Sequence, residues 1–256
     1  MNQHEINRFF LDDIQNEEHP SDFEYTPRYA VLILRLPYIK ERSVSVVSYA
    51  FLIEDGTIYR FSRSKKGFVK LGSFQELHRY LDIRIDKILA KITRLQSELS
   101  RMEDELYDGK IGKNFATRWL GTKKELALIE RLMSPSIVAF GRFYKHFKKD
   151  LDELAFSDLM EHLERARAVA KEANEKADYL FNFYKLLVDE KMNSIMFVLT
   201  VLSAIFLPLT LATGFFGMNT GGLPFVSDPE GTWKVTLLVL VLEIPFIVWI
   251  LRMMRR

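Results

Sequence analysis

Residues 192–219 read MNSIMFVLTVLSAIFLPLTLATGFFGMN, and from Ile195 to Phe216 this stretch carries no charged side chain. At about 1.5 Å rise per residue, an uncharged helix of that length crosses a hydrocarbon core of roughly 30 Å. A second apolar run, Trp233 to Leu251, is also long enough, and Trp233 and Trp249 near its ends suit the membrane interface. The two runs predict spans at residues 195–216 and 233–251, joined by a short loop at 217–232. Lys185 and Lys191 precede the first span, and Arg252, Arg255 and Arg256 follow the second. The loop has no Lys or Arg but carries Asp228 and Glu230. Basic flanks favour the cytoplasm, so both termini are expected there and the loop outside. The expectation is an integral protein of the cell (inner) membrane with the lipid bilayer as partner. The plain alternative is two buried core helices of a soluble protein.

The rest of the composition narrows the class. The chain has 256 residues, 36 Lys+Arg against 34 Asp+Glu, and a net charge of +2. Phosphate binding needs concentrated positive charge, so no nucleic-acid partner is expected. The absence of cysteine excludes disulfides and every thiolate metal site. The polar, acidic N-terminus (MNQHEINRFFLDDIQNEE) does not read as a cleavable signal peptide, so the first span is expected to direct insertion. No triad, phosphate loop or HExxH helix is present, and an enzyme is not expected.

Residues 1–72 read as a small N-terminal α/β cytoplasmic domain. Tyr29 to Leu36, Val44 to Ile53 and Thr57 to Phe61 are rich in β-branched and aromatic residues. Pro37 is expected to end the first run, and Asp55-Gly56 to form a tight hairpin turn between the second and third. Residues 73–191 change period and predict a cytoplasmic helical hairpin and stalk. Ser73 and Glu76 suit a capping box, followed by apolar residues from Phe74 through Leu77, Leu81 and Ile85 to Leu106 at steps of three and four. Gly109 and Gly112 break that helix, Phe115 to Met133 returns, and Ser134-Pro135 is expected to restart the chain into another helix. From Phe156 a single helix is expected to run through the first span, with a seam of Phe156, Leu159, Leu163, Ala166, Ala170, Ala173, Ala177, Leu180, Tyr184 and Leu187. Four alanines there let a neighbouring helix approach closely. The fold class is therefore α+β and mainly helical, with a long stalk continuing into the first of two C-terminal transmembrane helices that form residues 192–256.

The first span closes on Gly217-Met218-Asn219, directly before a second C-terminal span. In that position the tripeptide resembles the signature of the CorA family of divalent-cation channels. Met192-Asn193-Ser194-Ile195-Met196, Leu199-Thr200 and Ile205-Phe206-Leu207-Pro208-Leu209-Thr210 resemble the rest of that family's pore helix, and Tyr29 to Pro37 is similar to a strand of its cytoplasmic domain. The resemblance implies a homopentamer, its pore lined by the first span of each copy. Asn219 would form the outer ring that receives a hydrated cation, within the selectivity loop Gly217, Met218 and Asn219. Asn193 would form a similar ring at the cytoplasmic end. Met196, Leu199 and Leu207 would be hydrophobic constrictions, and Gly214 and Gly217 would permit the close approach and sharp turn that aim the loop carbonyls inward.

The residues agree with part of this. Asn193, Met196, Thr200, Ser203, Leu207, Thr210 and Gly214 follow one another at alternating steps of three and four, so they share one helix face. That face lines a wet lumen or, in the ordinary alternative, mediates dry helix packing. It holds no carboxylate, which suits Mg²⁺, an ion that gives up its water reluctantly. The outer loop departs from the magnesium pattern: Asn219-Thr220-Gly221-Gly222-Leu223-Pro224-Phe225 resembles the ZntB-type branch, associated with zinc and proton-coupled transport. Three readings stand: a Mg²⁺ pore, a proton-coupled transporter of Zn²⁺ (or Co²⁺, Ni²⁺), and a non-conducting membrane-anchored scaffold. No cofactor is expected beyond the transported or regulatory cation.

Two further features are candidates. Glu243 sits near the middle of the second span, where a carboxyl is costly. It is read as proton-linked or as a structural hydrogen-bonding group near Pro245. Asp158 and His162 lie four apart at the start of the stalk. Counting back from Gly-Met-Asn, Asp158 falls where the resemblance places a regulatory cation-sensing residue. The alternative is a solvated acidic face.

Overall fold

The computed structural model describes residues 6–40, 43–218, 222–225 and 228–254. The chain forms two compact units, Met1–Tyr184 and Lys185–Arg256. The first begins with helix α1 (Arg8–Gln15), then β1 (Asp22–Tyr25), β2 (Ala30–Lys40), β3 (Ser43–Glu54), β4 (Thr57–Ser62) and β5 (Gly67–Gly72). The strands form one sheet in the order β1-β2-β3-β4-β5, and every neighbouring pair is antiparallel. This meander contains the three expected strands and adds the short edges β1 and β5. Asp55 and Gly56 both take positive φ (46° and 73°) at the β3–β4 turn, which is the backbone a two-residue hairpin needs.

Alternation along β2 sends side chains to both faces, and both are covered. Val31 and Ile33 join Ile6, Ile14, Ala50 and Leu52 in a core beneath α1. Leu32, Leu34 and Leu36 are buried on the opposite side, where β2 meets α3 (Phe115–Phe147) and α2 (Phe74–Tyr107). Phe23 of β1 packs edge-on against Phe143 at 5.8 Å and Phe147 at 6.2 Å. Each such apolar side chain stabilises the fold by about 1.5–3 kcal/mol relative to exposure.

Pro37 does not end β2, which pairs on to Lys40. Beyond Ile33 the strand has lost β1 as a neighbour, so a proline there deletes no bond on that side. Where β1 stops, side chains take over its backbone pairing: Ser21 Oγ accepts from the Arg35 N–H at 2.8 Å and lies 2.8 Å from Ser136 Oγ. Ser134-Pro135 does not restart the chain either, because α3 continues through Pro135. The proline removes one helical donor, but flanking hydroxyls bind to the helix: Ser134 reaches the Glu130 carbonyl at 3.4 Å and Ser136 the Leu132 carbonyl at 2.8 Å.

The helices α2 and α3 form a hairpin. Ser73 and Glu76 make the capping box at its start, and Gly109, with φ +67°, turns the chain after α2. Lys91 and Glu125 pair at 2.6 Å in a site where their side chains are 10% and 22% exposed. Arg118 bridges Glu98 at 2.7 Å and Glu105 at 2.6 Å, and both hydrogen bonds hold its guanidinium above its ordinary pKa. Helix α4 (Glu153–Phe216) then runs on into the second unit, where α5 (Gly231–Met254) follows. Its first part buries Phe156, Leu159, Leu163, Ala166, Ala170, Ala173, Ala177 and Leu180. Trp119 stacks on Phe181 at 4.2 Å and donates to the Ala177 carbonyl at 2.7 Å.

Candidate functional site

Two stretches of helix are apolar and long enough to cross a membrane: one within α4, and Gly231–Trp249 of α5. In the second unit α4 shows two different sides. Val201, Ala204, Ile205, Leu209, Ala212 and Phe216 are half-buried. Across from them α5 turns in Val235, Val239, Glu243 and Ile247, which are half-buried or buried at steps of four. Ala212 and Val239 lie at the seam, since both line each of the two crevices beside it, of about 540 and 610 Å³.

The candidate pore residues occupy the other side. Asn193, Met196, Leu199, Thr200, Ser203, Leu207, Thr210 and Gly214 are all exposed, and none of them lines either crevice. At 100° per residue the stripe from Asn193 to Gly214 lies opposite the stripe that α5 covers. Two hydroxyls on it are already committed as donors. Thr200 Oγ1 donates to the Met196 carbonyl at 2.9 Å, and Thr210 Oγ1 to the Phe206 carbonyl at 2.7 Å. A hydroxyl whose proton is used within its own helix offers only lone pairs outward. Such an oxygen can accept from the water shell of a cation.

Helix α4 ends at Phe216, and the Gly217 N–H bonds the Thr213 carbonyl at 2.9 Å. A Cβ on Gly217 would stand 2.8 Å from that same oxygen, so the turn requires glycine there. A Cβ on Gly214 would meet nothing within 4 Å among the described residues, so the expected close approach is not made between them. Met218 is described and exposed, whereas Asn219, Thr220 and Gly221 lie outside the described residues. In the loop that follows, Gly222 takes φ +91°. Asp228 pairs with Lys234 of α5, and that hydrogen bond, then one from the Glu230 N–H, holds its carboxyl below the ordinary aspartate range. One of the two loop acids is thus already neutralised by a neighbour.

Glu243 is 6% exposed, on the α5 face that meets α4. Its Oε1 has no hydrogen-bond partner among the described residues. Neither a hydroxyl of the first span nor the backbone near Pro245 fills that oxygen.

In the first unit, Asp158 and His162 do meet, with Oδ1 3.8 Å from Nε2. The fold adds two residues that sequence reasoning missed. Asp82 and Asp86 of α2 come to His162 so that one ligand atom from each lies within 4.8 Å of the others. The Asp82 carboxylate is 3.9 Å from His162 Nδ1, too far for a hydrogen bond, and that buried nitrogen has no partner. Metal-bound N and O ligands sit about 2.0–2.2 Å from a Zn²⁺ ion, so small side-chain shifts would close this group on a cation. The available signal was Asp82-x-x-x-Asp86, a pair on one helix face beside the buried Leu81 and Ile85.

A family model described as CorA-like Mg²⁺ transporter protein matches residues 2–256. The cobalt/magnesium transport protein CorA of Methanocaldococcus jannaschii is 29% identical over 171 residues, covering 62% of this chain and 54% of that protein. The zinc transport protein ZntB of Yersinia enterocolitica is 28% identical over 158 residues, covering 60% and 48%. The chain thus spans about half the length of the curated relatives it matches. The complete structure of the CorA magnesium transporter from M. jannaschii superimposes with a TM-score of 0.76 at 22% identity, over 98% of this chain and 84% of that one. That likeness is one of fold: a small sheet domain, a helical hairpin and a long helix.

Proposed function

The chain belongs to the family of CorA-like Mg²⁺ transporter proteins, and from that premise we propose that it carries a divalent cation across the cell membrane through a pore formed by several copies. The observation that carries this reading is the bare stripe of α4. α5 covers one side of the helix and leaves the side bearing Asn193, Thr200, Ser203 and Thr210 uncovered. In a ring of copies, five by resemblance, that stripe faces the axis. Its acceptor oxygens hold a cation through its water, without the dehydration that Mg²⁺ resists. Asn219 at the outer mouth receives the hydrated ion, Asn193 forms the inner ring, and Met196, Leu199 and Leu207 narrow the path enough to stop it by dewetting. Both termini lie in the cytoplasm. The function is transport and not catalysis.

The cation we favour is Mg²⁺, because the stripe has no carboxylate or imidazole to select a transition metal. The second reading, a proton-coupled Zn²⁺ transporter, draws on the Gly221-Gly222-Leu223-Pro224 loop and on the similarity to a ZntB protein. We propose further that Asp158 and His162, with Asp82 and Asp86, form a cytoplasmic site where the cation regulates its own passage.

The test is flux into proteoliposomes with Mg²⁺, Zn²⁺, Co²⁺ and Ni²⁺ in turn, each with and without a proton gradient. Mg²⁺ flux indifferent to the gradient is the expected result. Zn²⁺ flux that needs the gradient favours the second reading, and no flux of any ion leaves a membrane-anchored scaffold.

A further inference from the structure

Glu243 has no part in the pore described above. Its buried carboxyl opens on the larger crevice between α4 and α5, about 610 Å³, lined otherwise by Pro208, Leu211, Ala212, Phe215, Val239 and Phe246. None of those six side chains can donate a hydrogen bond or carry charge. The described crevice wall therefore offers no donor to the lone pairs of Oε1, and leaving such a group unpaired at membrane depth is costly. The volume lies within the roughly 300–1,000 Å³ of small-molecule sites, which typically combine an apolar wall with a few placed polar groups.

We propose that this crevice binds a small amphiphilic amine that enters from the bilayer. The amine N–H fills Oε1 of Glu243, and amine and carboxyl together hold one proton whichever of them carries it. A hydrocarbon or aromatic body lies along Leu211, Ala212 and Val239. The rings of Phe215 and Phe246 offer faces to the cationic end. The site also has a mechanical consequence, which rests on the pore reading. Pro208 forms part of the crevice wall and cannot supply the N–H that the Ala204 carbonyl would receive in an unbroken helix. An occupant there presses on α4 at its most deformable turn, behind the stripe that faces the pore.

The experiment is photolabelling of the full-length chain in lipid nanodiscs with a diazirine-bearing dodecylamine and with the matching dodecanol. Adducts are mapped by mass spectrometry of the peptides spanning α4 and α5. The amine is expected to label the crevice residues about tenfold more than the alcohol, the margin of a charge-assisted hydrogen bond over the neutral one that the alcohol O–H can make. Glu243→Gln, which keeps the shape, is expected to bring the amine down to the level of the alcohol. Equal labelling by the two probes overturns the proposal, since the crevice then has no preference for an amine. Labelling that survives Glu243→Gln overturns it too. Absence of adducts in the crevice means that an acyl chain or another copy of the chain fills it, and the site falls. The amine-to-alcohol comparison needs no variant, so it decides even if Glu243→Gln does not fold. Labelling does not depend on transport: a chain that binds the amine but moves no cation keeps this site and loses the pore.

Discussion

Helix α4 is one element with two opposite halves. From Phe156 to Leu180 its apolar seam is buried within its own chain, on alanines small enough for close approach, while Tyr184 and Leu187 of the expected seam are half-buried, with Phe115 stacked on Tyr184 and Trp119 on Phe181. From Lys185 to Phe216 almost every side chain is exposed or only half-buried, and α5 covers a single stripe. The first half is specified by contacts that the chain makes with itself. The second has a polar, uncharged stripe that none of the described residues covers, and the proposed pore would place its specification in the bilayer and in other copies. Substitutions should therefore separate cleanly, changing stability in one half and transport in the other.

The largest expected effect belongs to Asn219, three residues beyond the second half in sequence. Asn219→Ala should reduce cation uptake by proteoliposomes to the level of empty vesicles while leaving the thermal unfolding midpoint unchanged. Uptake that persists would break the comparison, because the uncovered half would then have no transport role.

Next comes the first unit. Glu125→Ala removes one partner of Lys91 and the acceptor, at 3.2 Å, of the Val44 N–H. Breaking a fully buried pair costs about 3–5 kcal/mol; this pair is only partly buried, so a smaller loss is expected, to be read as a lowered Tm of the full chain in detergent. Cation binding at Asp82, Asp86, Asp158 and His162 should act in the opposite direction. A ligand of the folded state alone, at a hundred times its Kd, adds about 2.7 kcal/mol. Co²⁺ or Mg²⁺ should then raise Tm, chelation should reverse the rise, and the pair Asp82→Asn and His162→Ala should abolish it without removing the fold.

The difference between the halves also governs what was legible in the sequence. The alanine seam, the Ser73 cap and the Asp55-Gly56 turn were readable because each is a local pattern with a fixed period or a fixed backbone demand. The two prolines were misread as strand and helix ends. A proline breaks an element only where its missing N–H is needed, and at Pro37 that depended on where β1 stops, while at Pro135 hydroxyls flank the gap. Asp82 and Asp86 were missed because their meeting with His162 joins helices far apart in the chain, and no period announces it. The polar stripe of α4 was legible as a face. Only the fold revealed that α5 sits on the other side.

A paired substitution measures the contrast inside α4 directly. Ala173→Leu overfills the buried seam and should cost about 1–3 kcal/mol. Leu202→Ala, on a turn of the second half that the described residues leave exposed, should cost less, since no contact buried within the described residues is lost there. Equal losses in Tm would mean that the second half is as firmly specified within the chain as the first.

The smallest effect lies in the loop between the spans, and pH isolates it. Lys234 and the Glu230 N–H hold the Asp228 carboxyl below its ordinary value of 3.8 in the folded chain. A depressed folded pKa means that folding favours the ionised form. The contribution is therefore complete above the unfolded value, about 3.9 for aspartate, and is lost as pH falls through the lower folded one. Asp228→Asn should lower Tm slightly at neutral pH, and the gap from the parent chain should close under acid below that range. Because the pair is exposed and screened by salt, the same gap should shrink in high salt at neutral pH. A gap that ignores both acid and salt would assign the turn at Asp228 to its backbone hydrogen bonds alone, and would leave the pair of Asp228 and Lys234 with no measurable electrostatic contribution.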